Sequence, residues 1–225
     1  MSSIVVAGDT SGTITIAAPA VAGSGTLTLP VATDTLAGIA ATQTLTNKTL
    51  VAPALGTPAS GVLTNCTGVP AGALPAGSVL QVVNFQTGTV ATGTTILPQD
   101  NTIPQITEGT QFLSLSITPI SATSKLLFNI IINASVSTIQ FLSIALFQGS
   151  TANAIASGQV YLPVATGNLN IPINYFMTSG TTSSTTFTVR AGPPAAATTT
   201  INGSNGGGQL GGTLYSSITI TEIAA

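Results

Sequence analysis

The chain contains no histidine and no tryptophan, one cysteine, and only three basic and five acidic residues in 225. Each absence excludes a class of function. Without histidine, neither a Ser-His-Asp nor a Cys-His catalytic arrangement can exist. Zinc sites with Cys/His spacing are excluded for the same reason. The lone Cys66 lies in LTNCTG with no visible base; it reads as a small packed or exposed residue and permits no internal disulfide. Lys48, Lys125 and Arg190 form no cluster in sequence, so phosphate neutralisation and nucleic-acid binding are not expected. No apolar run approaches the roughly 20 residues of a membrane-spanning helix. The best candidate, LLFNIII (126–132), is interrupted by Asn129. MSSIVVAGD lacks a basic n-region and a long apolar h-region, so no signal peptide is read. Synthesis in a reducing cytoplasm without Sec export is the expectation.

The scarcity of charge has a positive implication. Globular domains carry roughly 25% charged residues; this chain carries 4%, with 44% hydrophobic residues. Its surface must be Ser, Thr, Asn, Gln and Gly, or much of it must be buried against other copies. The high apolar fraction favours the second.

Residues 1–52 contain short β-like phrases, SIVVAG, TITIAA and TLTLPV, bounded by Gly, Pro or Asp. TITI places Ile14 and Ile16 on one face, and TLTL does the same for Leu27 and Leu29. None is long enough to close a core alone. Residues 53–77 are rich in Pro, Gly, Ala, Ser and Thr, with Pro53, Pro58, Pro70 and Pro75. Proline fixes φ and cannot donate in a central ladder, so extended, turn-rich backbone is expected there, forming a neck. Residues 78–225 hold every Phe and Tyr. KLLFNIIINASV sets Leu126, Phe128, Ile130, Ile132, Ala134 and Val136 on one face. QFLSLSIT does so for Leu113, Leu115 and Ile117, and FLSIALFQ, TFTVRA and SSITITEI continue the pattern. Turn signals at roughly 8–12-residue spacing predict an all-β domain of about eight strands in two packed sheets, a jelly roll, with no helix of convincing length.

TLTLPVATDTL (26–36), TQTLTNKTL (42–50) and GTPASGVLTNCTG (56–68) resemble the low-complexity shaft and neck of tailed-bacteriophage fibre proteins. DNTIPQITEGTQFLSLSITPISATSKLLFNI (100–130) and SSITITEI (216–223) resemble the C1q/TNF-like trimeric jelly roll that often follows such a shaft. The resemblance implies a homotrimeric virion fibre, made in the host cytoplasm, with an N-terminal arm or shaft attached to another virion protein. Small residues in 44–70 would let three chains approach closely about one axis, with Asn47 and Lys48 where shaft becomes neck. The implied role is a tail fibre that contacts a host surface glycan or protein by multivalent binding. The alternatives are a capsid-attached head fibre or decoration protein, and a polysaccharide-degrading spike. Neither a cofactor nor membrane insertion is implied.

Several residues remain as site candidates. Asp100 and Glu108, in LPQDNTIPQITEGT, are the acidic pair nearest in sequence: a glycosidase pair, a calcium site, or simply a turn residue and a strand-edge charge. The last reading is the expectation, and no metal or catalytic residue is assigned. GGGQLGG (206–212) formally contains G-x-G-x-x-G but lacks the βαβ frame of a dinucleotide site, so it reads as a loop. The sequons at Asn47, Asn65, Asn133 and Asn202 read as accidents of composition without a secretory signal. Tyr161, Tyr175 and Arg190 are candidates for a sugar-stacking or hydrogen-bonding surface, and Asn202 and Asn205 for a contact loop at one end of the sandwich. Glu222 alternates with Ile218 and Ile220; it is expected past the sheet end in water, or else buried against Lys125 or Arg190.

Overall fold

A computed structural model describes Ser3–Ala7, Thr13–Ala17 and residues 74–225. The chain divides into two compact units, residues 1–62 and 63–225, each described by itself. In the first, β1 (Ser3–Ala7) and β2 (Thr13–Ala17) pair antiparallel, from Ser3↔Ala17 to Ala7↔Thr13. These are the SIVVAG and TITIAA phrases. TLTLPV, TNKTL, most of the neck, Lys48 and Cys66 lie outside the described residues.

The second unit is an all-β sandwich without an α-helix among the described residues. Its strands are β3 (Val79–Thr87), β4 (Ala91–Gly93), β5 (Thr110–Ile117), β6 (Lys125–Val136), β7 (Gln140–Gln148), β8 (Ala156–Leu162), β9 (Leu169–Thr178), β10 (Thr185–Gly192), β11 (Thr199–Ile201), β12 (Gly203–Ser204), β13 (Gly207–Gly208) and β14 (Ser216–Ile223). One sheet runs β3-β14-β6-β9, with β11 and β4 continuing the rows of β14 and β3 past their ends. The other runs β5-β10-β7-β8. From β4 to β11 consecutive strands thus alternate between sheets, apart from β7 and β8, and β14 returns beside β3. This is the jelly-roll arrangement expected from the strand pattern.

Alternation explains the core. The β6 positions Leu126, Phe128, Ile130 and Ile132 point inward and are essentially inaccessible. They meet Leu142, Ile144 and Leu146 of β7, Phe187 and Val189 of β10, and Ile218 and Ile220 of β14. The Phe128 and Phe187 rings cross edge-to-face, centroids 4.7 Å apart, one from each sheet. Burying each such ring stabilises the fold by roughly 1.5–3 kcal/mol.

Strand β7 departs from simple alternation, because every residue from Leu142 to Phe147 is buried. Its outward side chains Ala145 and Phe147 are covered by Leu97, Ile106 and Ala154, which form a small second cluster. The loop between β7 and β8 supplies Ala154, and the segment between β4 and β5 supplies Leu97 and Ile106. It is tied down by Leu97 N–H to the Pro193 carbonyl (2.9 Å) and Ala154 N–H to the Pro104 carbonyl (2.9 Å). Gly109 turns this segment into β5 at φ +65°, and a Cβ there would press on the Ala191 backbone at 3.1 Å.

Glu222 corrects both sequence expectations. It faces inward beside Ile220 and is fully buried, so it does not sit in water beyond the sheet. Its partners are not Lys125 or Arg190 but neutral donors. Oε1 accepts from Ser124 Oγ (2.6 Å), Ile120 N (2.8 Å) and Ser121 N (3.2 Å); Oε2 accepts from Gln81 Nε2 (2.6 Å) and Ile120 N (3.0 Å). Burial pushes its pKa up, but the bonds from Ser124, Gln81, Ile120 and Ser121 outweigh this and hold it below the usual value. The carboxylate therefore fastens the β5–β6 turn to β3 and β14. Sequence spacing cannot reveal this, because the donors are backbone amides 101 and 102 residues away.

Candidate functional site

The two outer faces of the sandwich differ. On the first sheet the register aligns Val82, Thr221, Leu127 and Phe176 in one row across four strands. Val82 is 57%, Leu127 39% and Phe176 55% exposed, a density of bare apolar side chains that water alone does not favour. The next row is Asn84, Thr219, Asn129 and Asn174, joined in pairs by Asn84 Nδ2 to Thr219 Oγ1 (2.8 Å) and Asn129 Nδ2 to Asn174 Oδ1 (3.1 Å). Beyond it, Asn133 Nδ2 donates to Asn170 Oδ1 (2.7 Å). Lys125, at one end, is the single charged residue these four strands present outward, and its Nζ donates to Thr178 Oγ1 (2.7 Å). Apart from Lys125 the face is uncharged and partly apolar.

On the second sheet, β8 is the edge strand and presents Ser157, Gln159 and Tyr161 outward. Cross-strand register sets Gln159 opposite Ser143 and Tyr161 opposite Phe141. The Tyr161 and Phe141 rings lie 5.0 Å apart, and Tyr161 is 48% exposed. The 97–104 segment overhangs this edge and encloses a groove of about 440 Å³ with Gln99, Asp100, Thr102, Ser143, Ser157 and Gln159 among its walls. That volume lies within the range of small-molecule sites, roughly 300–1,000 Å³. A second hollow of about 400 Å³ adjoins it on the side of Ile103 and Ile155 and shares Asp100 and Ser157. The groove's polar groups are connected. Gln99 Nε2 donates to Gln159 Oε1 (3.3 Å), and Gln159 Nε2 donates to the buried Ser143 Oγ (3.0 Å). Asp100 Oδ1 accepts from Thr102 Oγ1 (2.5 Å) and Thr102 N (2.8 Å). Those bonds, the hydroxyl's first, hold the Asp100 carboxyl below its ordinary pKa, so it is ionised at neutral pH.

The sequence candidates are not brought together. Tyr161 lies outside the groove's lining, two residues along β8 from Gln159 and on the same outward face. Tyr175 faces the opposite way, into the core, with its ring 6.1 Å from Phe128. Arg190 lies on the outer face of the second sheet, but its guanidinium is occupied: Nε donates to the Glu108 carbonyl (2.9 Å) and Nη2 to the Gly109 carbonyl (2.9 Å). It clamps the covering segment. Arg190→Ala is expected to cost about 2 kcal/mol, the worth of a lost charged hydrogen bond, and to raise amide exchange selectively across 94–109. Uniform exchange would refute the clamp.

Asn202 is not a surface residue. It is fully buried at φ +56°; its Nδ2 donates to the Thr87 and Thr89 carbonyls and its Oδ1 accepts from Ser216 Oγ (2.7 Å). Its amide knits β14 to the β3 end, a use that an Asn/Gly-rich loop does not announce. Asn205 is exposed at the tip between β12 and β13, at φ +50°. GGGQLGG spans β13 and a 3₁₀ turn at Leu210–Gly212 and precedes a strand, not a helix. Asp100 and Glu108 serve separate turns, since Glu108 Oε2 accepts from Gln105 N (2.8 Å). Among the described residues, no three His, Cys, Asp or Glu side chains gather as a metal cluster. Sequence reading missed Gln99, Ser143, Ser157 and Gln159, because only folding places 97–104 over the β8 edge.

No protein-family model matches the chain, and no curated protein does. Solved structures with loosely similar strand arrangements include Eiger TNF from S. frugiperda, at TM-score 0.39 and 12% identity over 64% of this chain and 92% of that one. The C-terminal domain of EclA, a sugar-binding protein, aligns at TM-score 0.30 and 16% identity over 61% of this chain and 86% of that one. Infectious bursal disease virus, Gt strain, aligns at 0.33 and 12% over 75% of this chain and 43% of that one. Likenesses this distant carry no functional argument, and the jelly-roll assignment rests on strand order and register alone.

Proposed function

We propose that the chain is a virion structural protein of a tailed phage, a short homotrimeric fibre that contacts the host surface by multivalent binding. Residues 1–52 attach it to another virion protein, 53–77 form the neck, and 78–225 form the displayed jelly roll. The observation that carries the reading is the neutral outer face of β3-β14-β6-β9, with its row of Val82, Leu127 and Phe176. A protein with so few charges needs somewhere to bury such a face, and a second and third copy supply neutral surface of matching chemistry. The phage assignment itself comes from the TNKTL and GTPASG phrases. The fibre acts by binding rather than catalysis: three tips per fibre, and several fibres per particle, convert weak contacts into avidity.

The test is a symmetry-relaxed image reconstruction of the intact particle that carries the protein. Trimeric density at the tail supports host attachment. Density on the capsid transfers the fibre to the head as a decoration protein and removes the attachment role. A monomeric protein by sedimentation defeats the fibre altogether.

A further inference from the structure

We infer that the groove between the 97–104 segment and the β8 edge, continued along β8 to the neighbouring Tyr161, binds a neutral saccharide, with Tyr161 as its stacking face and Asp100, Gln99 and Gln159 as its hydroxyl partners. The groove lies on the sandwich face opposite the neutral sheet. Its biological use rests on the fibre reading, but its ligand chemistry stands on the groove alone.

The ligand class follows from the walls. A sugar hydroxyl both donates and accepts, and so does a side-chain amide. Gln99 and Gln159 supply two amides, already held in place through Ser143, so little rotamer freedom is lost when a ligand arrives. Asp100 uses Oδ1 on its own turn, leaving Oδ2 to accept from a hydroxyl. Tyr161 is two residues along β8 from Gln159, about 6.6 Å at strand rise. A pyranose gripped by the glutamines can therefore lay an apolar C–H face on the ring, whose back is supported by Phe141. The groove's lining holds no cation, and its one charge is negative, so anionic ligands are disfavoured. A wholly apolar ligand would strand the amides and the carboxylate without partners.

The experiment is saturation-transfer NMR on the full-length protein with D-glucose, D-galactose, D-mannose, N-acetyl-D-glucosamine, D-glucuronate and the peptide Gly-Ser-Gly-Ser. At least one neutral sugar is expected to bind. Gln159→Ala and Asp100→Asn should each weaken it about tenfold, the equivalent of one good hydrogen bond; Asp100→Asn should leave the melting midpoint unchanged, whereas Gln159→Ala should lower it slightly because the buried Ser143 hydroxyl loses its amide partner. Tyr161→Ala should abolish it and Tyr161→Phe should largely retain it. D-glucuronate should bind about tenfold more weakly than D-glucose, because its carboxylate meets Asp100. Binding by none of the neutral sugars, preference for the peptide, or binding indifferent to Asp100 and Gln159 overturns the inference. Sedimentation of the same sample separates the two readings: a trimer that ignores sugars sinks the groove and leaves the fibre, whereas a monomer that binds them does the reverse.

Discussion

Replacing Glu222 by alanine should lower the unfolding free energy by about 3 kcal/mol. The amides of Ile120 and Ser121 lose their acceptor, while the Ser124 hydroxyl and the Gln81 amide each lose one but keep the Ser121 and Thr118 carbonyls. Each buried donor left unpaired costs on the order of 1–3 kcal/mol, and partial rehydration through the space the side chain vacates keeps the sum below the simple total. Glu222→Gln keeps the shape but turns an NH2 toward donors, so it should cost about half as much. The sign of the pH dependence follows from the lowered pKa. A carboxylate more acidic in the folded state than its ordinary 4.5 adds stability that is fully present above that value. The contribution disappears as pH falls through the lower folded value. Urea unfolding from pH 7 downward, at fixed protein concentration, should show a steeper acid limb for the parent than for Glu222→Gln. Equal midpoints and parallel acid limbs would show that the carboxylate carries no weight.

If the chain assembles as the proposed trimer, a double substitution, Leu127→Asp with Phe176→Asp, should leave it monomeric while the jelly roll stays folded. Both side chains are exposed on one chain, so the isolated fold tolerates them. In the trimer they would bring carboxylates into a face whose outward residues are neutral apart from Lys125 at one end. An uncompensated buried charge costs about 3–5 kcal/mol, and threefold symmetry repeats that cost at each interface. Ser114→Asp, outward on the opposite sheet, should leave assembly intact. Sedimentation velocity measures the mass and thermal melting the midpoint. Unchanged mass and midpoint in the double variant would remove this face as the interface. A trimer with a lowered midpoint would assign the remaining contacts to residues 1–77.

Much of the sandwich is legible in the sequence. KLLFNIIINASV, TFTVRA and SSITITEI each form a strand, and Leu126, Phe128, Ile130, Ile132, Ala134 and Val136 of the first are buried as expected. This works because side-chain period is a local property of extended backbone, and one buried face suffices to select apolar residues. The neutral outer face was also foreshadowed, since a chain with eight charged residues cannot cover every surface with them.

Tertiary structure alone decided the rest. FLSIALFQ is buried on both sides because the segment before β5 folds back over it, a long-range event that leaves no period in the sequence. Glu222 alternates with Ile218 and Ile220 but reads from sequence as lying in water past the sheet end; it is buried instead, because its acceptor capacity is filled by a turn about 100 residues earlier. Asn202 looked like a loop residue and became an interior crosslink once β14 and β3 met around it. The groove is the extreme case: Gln99, Ser143 and Gln159 are ordinary polar residues at unrelated points of the chain. Composition and periodicity, being sums over neighbours in sequence, set the fold class and the neutral surface. Which polar groups share a partner depends on closure of the sandwich, where strands remote in sequence come within hydrogen-bonding distance.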